Sequence, residues 1–129
     1  MQTKKLAVCG ILLSKTNDVL TVSRKDDHTK IGLVGGKVDA GETLEQAIVR
    51  ECFEETGVVV QVDGDKTFTD VIGEFEVTCF LLRRTNDEVY PTDPQETGVV
   101  KFESIDKLLS DASPFMDYNV KAFKQLGVI

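Results

Sequence analysis

The 129-residue chain has no apolar run long enough to cross a membrane. The longest, residues 6–13, is eight residues counting Gly10, against the roughly 20 that a spanning helix needs. The leading MQTKK runs into this stretch without a cleavage site, so the stretch reads as a buried strand rather than a signal peptide. There is no CxxC pair and no Cys/His cluster to suggest zinc or redox chemistry. Cys9, Cys52 and Cys79 are odd in number, widely spaced and set among apolar residues. They read as small buried hydrophobes of a reducing, cytoplasmic compartment. The one histidine, His28, stands in a polar KDDHTK loop and reads as exposed. No internal repeat, Pro/Ser linker or low-complexity tract divides the chain, and one domain over residues 1–129 is expected. Cations are short: 15 Lys+Arg stand against 22 Asp+Glu, a net charge of −7. No stable nucleic-acid binding and no membrane association are therefore expected.

What is present is ordinary globular material, 41% hydrophobic and 29% charged. The charge is uneven. Residues 1–30 carry six cations and three anions, net +3, and residues 31–129 carry nine and nineteen, net −10. Residues 5–13 suit a strand buried on both faces. Asn17-Asp18 marks a turn, and residues 19–23 read as the returning strand of a hairpin. A polar loop at 25–30 leads to a short extended piece, 31–34, ending at Gly35-Gly36. Residues 43–56 read as a helix, with Thr43 and Gln46 spaced as a capping box and Gly57 as the stop. A strand at 58–62 follows, and then strands 67–72 and 75–82 flank a two-residue turn, Gly73-Glu74. A polar loop at 86–95, a strand at 99–102 and helices at 105–109 and 117–126 complete the chain, with Asp117 as a candidate N-cap. The sum is a mixed sheet with helices, an α/β or α+β sandwich.

The helix at 43–56 is unusual. On a wheel, Leu44, Ala47 and Ile48 form one stripe, which Glu51 and Glu55 continue, with Glu54 at its edge. Acids are ordinarily favoured at a helix N-terminus, because the dipole is negative at the other end. Three glutamates in the last turn are opposed by the dipole and by one another, so a positive group should compensate. Arg50 is one candidate and a divalent cation the better one. Carboxylates at i, i+3 and i+4 suit Mg²⁺ or Mn²⁺, hard ions that take oxygen ligands. Upstream, Gly35-Gly36 allows close backbone approach and a carbonyl ligand, and Lys37 stands beside the site as a phosphate partner.

The stretch GKVDAGETLEQAIVRECFEETGV resembles the Nudix box, G-x5-E-x7-R-E-U-x-E-E-x-G-U, with U apolar. Gly36, Glu42, Arg50, Glu51, Glu54, Glu55 and Gly57 fill every fixed position and Val58 the last apolar one. At ordinary residue frequencies such a match arises by chance at ~10⁻⁹ per start position. Cys52 stands where a larger aliphatic residue is usual, and Val34 where the family usually has Pro. The resemblance implies an α/β/α sandwich with a mixed sheet and a Mg²⁺-dependent hydrolase of nucleoside diphosphates linked to another group, with Mn²⁺ as a substitute. It implies Glu54 and Glu55 as principal metal ligands, assisted by the Gly35 carbonyl. Glu51 would be a further ligand or the water-orienting base, and Arg50 would hold a catalytic glutamate. Glu42 would fix the loop or bind metal through water. It also implies Glu96 as a metal ligand or general base, Arg24 and Lys25 as phosphate contacts, and Asn119 as a reader of a purine edge. For Glu96, Arg24 and Lys25 an ordinary exposed side chain is the competing reading, and for Asn119 a polar residue near a helix start. Phe115 and Tyr118 read as core more readily than as base-stacking residues. The compact length points away from enzymes acting on ADP-ribose, which often carry an extra N-terminal domain. A MutT-type action on a (d)NTP is therefore the first expectation, with other nucleotide pyrophosphates or a non-catalytic nucleotide-binding module as alternatives, in a monomer or homodimer.

Overall fold

A computed structural model describes residues 5–85 and 98–129. Six strands form one mixed sheet: β1 (Lys5–Leu12), β2 (Val19–Ser23), β3 (Ile31–Lys37), β4 (Val60–Ile72), β5 (Phe75–Arg84) and β6 (Val100–Glu103). The spatial order is β4-β5-β1-β3-β2-β6, with β1 and β5 parallel and the other pairs antiparallel. Among the described residues three helices accompany the sheet: α1 (Leu44–Thr56), α2 (Ile105–Leu108) and α3 (Met116–Gln125).

The layering follows from alternation along β1, whose residues 8–12 are all buried. Val8 and Leu12 join a core with Ala47, Ile48 and Cys52 of α1. Cys9 and Ile11 point the other way, into a core with Leu108, Tyr118, Ala122 and Phe123 of α2 and α3. Successive side chains on a strand face opposite sides, so a helix layer on each face yields the expected α/β/α sandwich. All three cysteines are buried and free, and His28 is exposed. No helix among the described residues is long and apolar enough to cross a membrane.

Four local readings are corrected. β2 is not the hairpin partner of β1: β3 lies between them, and Leu13↔Val19 is a lone bridge. Pairing β3 with both neighbours buries its Val34 completely, in the core under α1. β3 does not end at Gly35 but runs through both glycines to Lys37, because residues 34–37 pair with β1. The strands read at 58–62 and 67–72 are one, β4, whose register with β5 breaks between Val62 and Thr67. Asp117 lies in the first turn of α3, and Phe115 takes the N-cap position without a side-chain cap bond. The polar loop at 86–95 and Glu96 lie outside the described residues.

Candidate functional site

Helix α1 is fixed at both ends by its own sequence. Thr43 Oγ1 accepts from the Gln46 backbone N–H, and the Gln46 side chain accepts from the Thr43 N–H. Gly57 ends the helix in the left-handed region, φ 72°, where a residue with a Cβ is strained. Between these caps the helix holds Arg50, Glu51, Glu54 and Glu55 over the end of β3.

Arg50 is the compensating cation among the described residues. Its guanidinium pairs with Glu42 at 2.6 and 3.0 Å, with Glu51 at 2.9 Å and with Glu54 at 3.1 Å. It also donates to the Lys37 carbonyl at 3.1 Å and stands 3.5 Å from Asp39. A planar fork with five donors can serve several carboxylates at once, which an ammonium cannot. The Arg50 bond, together with the Asp39 N–H, holds the Glu42 carboxyl below its usual range.

Glu55 has no such partner. Its Oε1 accepts one backbone N–H, from Gly35 at 2.8 Å, and no described Lys or Arg pairs with it. Burial pushes its pKa up to about 7, with Glu51 and Glu54 adding repulsion. Burial also raises Glu51, against the pull of Arg50. Glu54, 57% exposed, sits at the rim. The wheel therefore located Glu51 and Glu55 on the inward face and Glu54 on its edge.

As placed, no three His, Cys, Asp or Glu side chains among the described residues converge into a group that would hold a metal ion, and Arg50 bonds one oxygen each of Glu51 and Glu54. The donor set still fits a hard divalent cation. Three carboxylates project from one helix, and the most buried lacks a counter-charge. A cation drawing Glu51 and Glu54 toward Glu55 would supply it.

The backbone of residues 35–37 joins this cluster to a cleft of about 320 Å³. The same three residues form part of the cleft wall and are tied to the cluster behind it, Gly35 through Glu55, Gly36 through Glu51 and the Lys37 carbonyl through Arg50. Gly36 is pressed against Glu51, where an added Cβ would lie 2.5–2.7 Å from the carboxylate atoms. The remaining walls are apolar: Leu33, Ile72, Phe75 and Val77 from the strands, with Phe115 and Tyr118 from the α3 end. The Lys37 ammonium lies 5.7 Å above the Phe75 ring, at the border between cleft and carboxylates.

The other expected site residues part company. Asn119 lines the cleft but is 2% exposed, and its amide nitrogen donates to the Leu108 carbonyl at 2.9 Å and to Ser113 Oγ at 3.0 Å. Both of its hydrogens are thus spent tying α3 to the segment before it, and a two-sided reading of a base edge is excluded. Its Oδ1 has no donor among the described residues. Arg24 and Lys25 are not brought to the cluster. The neighbouring Ser23 pairs with Ile31, four residues before Gly35, roughly 13 Å along the strand. Arg24 is also tied to Asp26 by two bonds of 2.9 Å. Tyr118 is core, donating to the Val77 carbonyl and packing edge-on against Phe68. Phe115 is 48% exposed at the cleft mouth. Phe75 was missed in the sequence because it reads only as a strand start, and no local signal marks a wall assembled from β1, β3, β4, β5 and the α3 end.

Comparison with known proteins agrees with this geometry. The family model described as the NUDIX domain matches residues 3–123. The chain is 40% identical over 62 residues to an 8-oxo-dGTP diphosphatase of Escherichia coli K12, a match covering 45% of this chain and 48% of that protein. It is 46% identical over 59 residues to an ADP-ribose pyrophosphatase of Methanocaldococcus jannaschii, covering 44% and 34%. The matches thus span between a third and a half of the length of these curated relatives. A NUDIX-family hydrolase from Clostridium perfringens superposes with a TM-score of 0.75 at 18% identity, covering 99% of each chain, a likeness of fold. With the family model spanning nearly the whole chain and the carboxylate helix placed against residues 35–37, the chain belongs to the NUDIX family.

Proposed function

We propose that the protein hydrolyses a nucleoside diphosphate-linked substrate with Mg²⁺, for which Mn²⁺ can substitute, and that its substrate class is a (d)NTP, cleaved to (d)NMP and pyrophosphate. The observation that carries this reading is the shared wall of residues 35–37. An apolar cleft suited to a base lies on one side of it and the carboxylate cluster on the other. A diphosphate crossing that wall meets Lys37 first. Bound there, a divalent cation would neutralise the phosphates and lower the pKa of water. Glu54 and Glu55, with the Gly35 carbonyl, are the proposed ligands. Glu51, against Gly36, is the proposed further ligand or water-orienting base. Arg50 keeps Glu51 and the Glu42 loop in position. Glu96 is retained as a proposed ligand or base on its sequence position alone. Asn119 can contribute only its Oδ1, which selects a base presenting an N–H donor.

The test is a screen of nucleotide pyrophosphates with Mg²⁺, reading phosphate, pyrophosphate and nucleotide products. Turnover of (d)NTPs to monophosphate and pyrophosphate, abolished by EDTA, is expected. Full activity in excess EDTA would sink the metal mechanism, and absence of turnover on every substrate would leave a binding module. ADP-ribose is the second reading, favoured by the similarity to the M. jannaschii enzyme, and AMP release would establish it.

Two variants refine the proposal. Gly36→Ala should lower kcat about tenfold or more with little change in melting temperature, because its Cβ displaces the Glu51 carboxylate and not the sheet. Melting curves beside turnover check both halves. Asn119→Ala should raise KM about tenfold for bases with a suitable N–H donor, from the loss of one buried hydrogen bond. It should also destabilise the fold, since the bonds to Leu108 and Ser113 go with it. An unchanged base ranking would leave Asn119 purely structural.

A further inference from the structure

The fold brings together two cysteines that lie far apart in the sequence. Cys9 on β1 and Cys79 on β5 are register partners in the parallel pair. Directly facing residues share one side of the sheet, and both belong to the core beneath α3. Neighbouring strands lie about 4.8 Å apart, within the roughly 4.4–6.8 Å Cα separation that a disulfide spans. Cys9 Sγ donates to Tyr118 Oη at 3.7 Å. Cys79 is fully buried, whereas Cys9 is 9% exposed and forms part of the cleft wall. A small solute in the cleft therefore meets Cys9 first. Cys52 differs: it is enclosed in α1, beside Thr56 Oγ1 and away from the cleft.

We propose that Cys9 and Cys79 form a two-electron redox site, at which a hydroperoxide entering the cleft closes a disulfide between β1 and β5. In the first step the Cys9 sulfur attacks a peroxide oxygen. The O–O bond breaks, the hydroperoxide is reduced to an alcohol or water, and Cys9 becomes a sulfenic acid. In the second step the Cys79 sulfur attacks the Cys9 sulfur. The S–S bond forms, the S–O bond breaks, and the hydroxyl leaves as water with the thiol proton. The two thiols together lose two electrons and two protons.

Gly35 is the third member of the same row, facing Cys9 from the other side of β1. The fit is so close that a Cβ on Gly35 would lie 2.8 Å from Cys9 Cα and 2.1 Å from the Val8 carbonyl oxygen. Closing the bond shifts the β1–β5 spacing from about 4.8 Å toward the roughly 5.5–6 Å usual for a disulfide, which moves β1 against Gly35, the residue whose N–H holds Glu55. Oxidation is thereby transmitted to the carboxylate cluster through one row of backbone. This second part rests on the metal reading above.

The test treats the 129-residue protein with hydrogen peroxide, alkylates free thiols in denaturant and maps the peptides. A linked Cys9–Cys79 peptide is expected, reversed by dithiothreitol, with Cys52 recovered alkylated. In Cys79→Ala the reaction should stop at a Cys9 sulfenic acid that dimedone traps. Mapping needs neither metal nor turnover, so it can fail while the hydrolase reading stands. Absence of the linked peptide at a dose that oxidises the partly exposed Met116 overturns the redox site. Coupling is read by Mn²⁺ titration: binding should weaken severalfold in oxidised wild type and not change in treated Cys79→Ala. A linked peptide with unchanged Mn²⁺ affinity overturns the coupling through Gly35. Reduced protein that binds no Mn²⁺ overturns the metal reading and leaves the thiol chemistry intact.

Discussion

Glu55→Gln is expected to lower kcat by about 10²–10³-fold while the fold survives. The amide keeps an oxygen to accept the Gly35 N–H, so the contact between α1 and β3 is retained. What goes is the one carboxylate of the cluster that Arg50 does not already neutralise. An anionic ligand worth about 3–4 kcal/mol in the transition state corresponds to that loss of rate. Stability without metal should move the other way. The folded Glu55 carboxyl has a pKa of about 7, above the ordinary value, so the folded state holds its proton more tightly than the unfolded state does. Its contribution is fully present below about pH 4.5 and is lost as pH rises to about 7. Glu55→Gln, which cannot ionise, should match wild type at low pH and exceed it above neutrality, by on the order of 2 kcal/mol. Urea melts at several pH values in EDTA, beside turnover in saturating Mg²⁺, check both halves. Wild-type kcat in the variant would remove Glu55 from the mechanism.

Arg50→Lys should be nearly as damaging as Arg50→Ala. One guanidinium, 26% exposed, serves Glu42, Glu51, Glu54 and the Lys37 carbonyl. A lysine ammonium cannot reproduce the two-bond fork to Glu42. A fall in kcat/KM of about a hundredfold or more is expected in both variants, with melting temperature down by roughly 5–10 °C. The decisive readout is the response to cation. On the proposed ligand set, a metal in wild type would have to compete with Arg50 for Glu51 and Glu54. In Arg50→Ala those carboxylates are unopposed, so Mg²⁺ should raise the melting temperature by more than it does in wild type. An equal response in both proteins would mean that metal and guanidinium do not share ligands.

Most of what was encoded within a few residues was legible in the sequence. Thr43, Gln46 and Gly57 bracket α1, and one turn of that helix carries Arg50, Glu51, Glu54 and Glu55. Gly73-Glu74 sets its own hairpin. The failures are mostly non-local, the α3 N-cap and the Arg24–Asp26 pair being the local ones. Nothing near residues 19–23 announces that β3 will insert between β2 and β1. Nothing near Asn119 announces that Leu108 and Ser113 will use its hydrogens. Strand-end cations such as Arg24 look alike whether they face a phosphate or, as here, a neighbouring aspartate.

The parallel pairing of β1 with β5 also bears on how the chain emerges from a ribosome. Lys5 pairs with Phe75, 70 residues later. At about 5–20 residues per second, β1 waits roughly 4–14 s before β5 is synthesised. Throughout that interval the apolar residues 8–12 have one unfilled sheet edge beside them. Long-range pairings of this kind are slow to close. The nascent chain is therefore most exposed to aggregation at its first strand, and a holding chaperone would find its binding segment there.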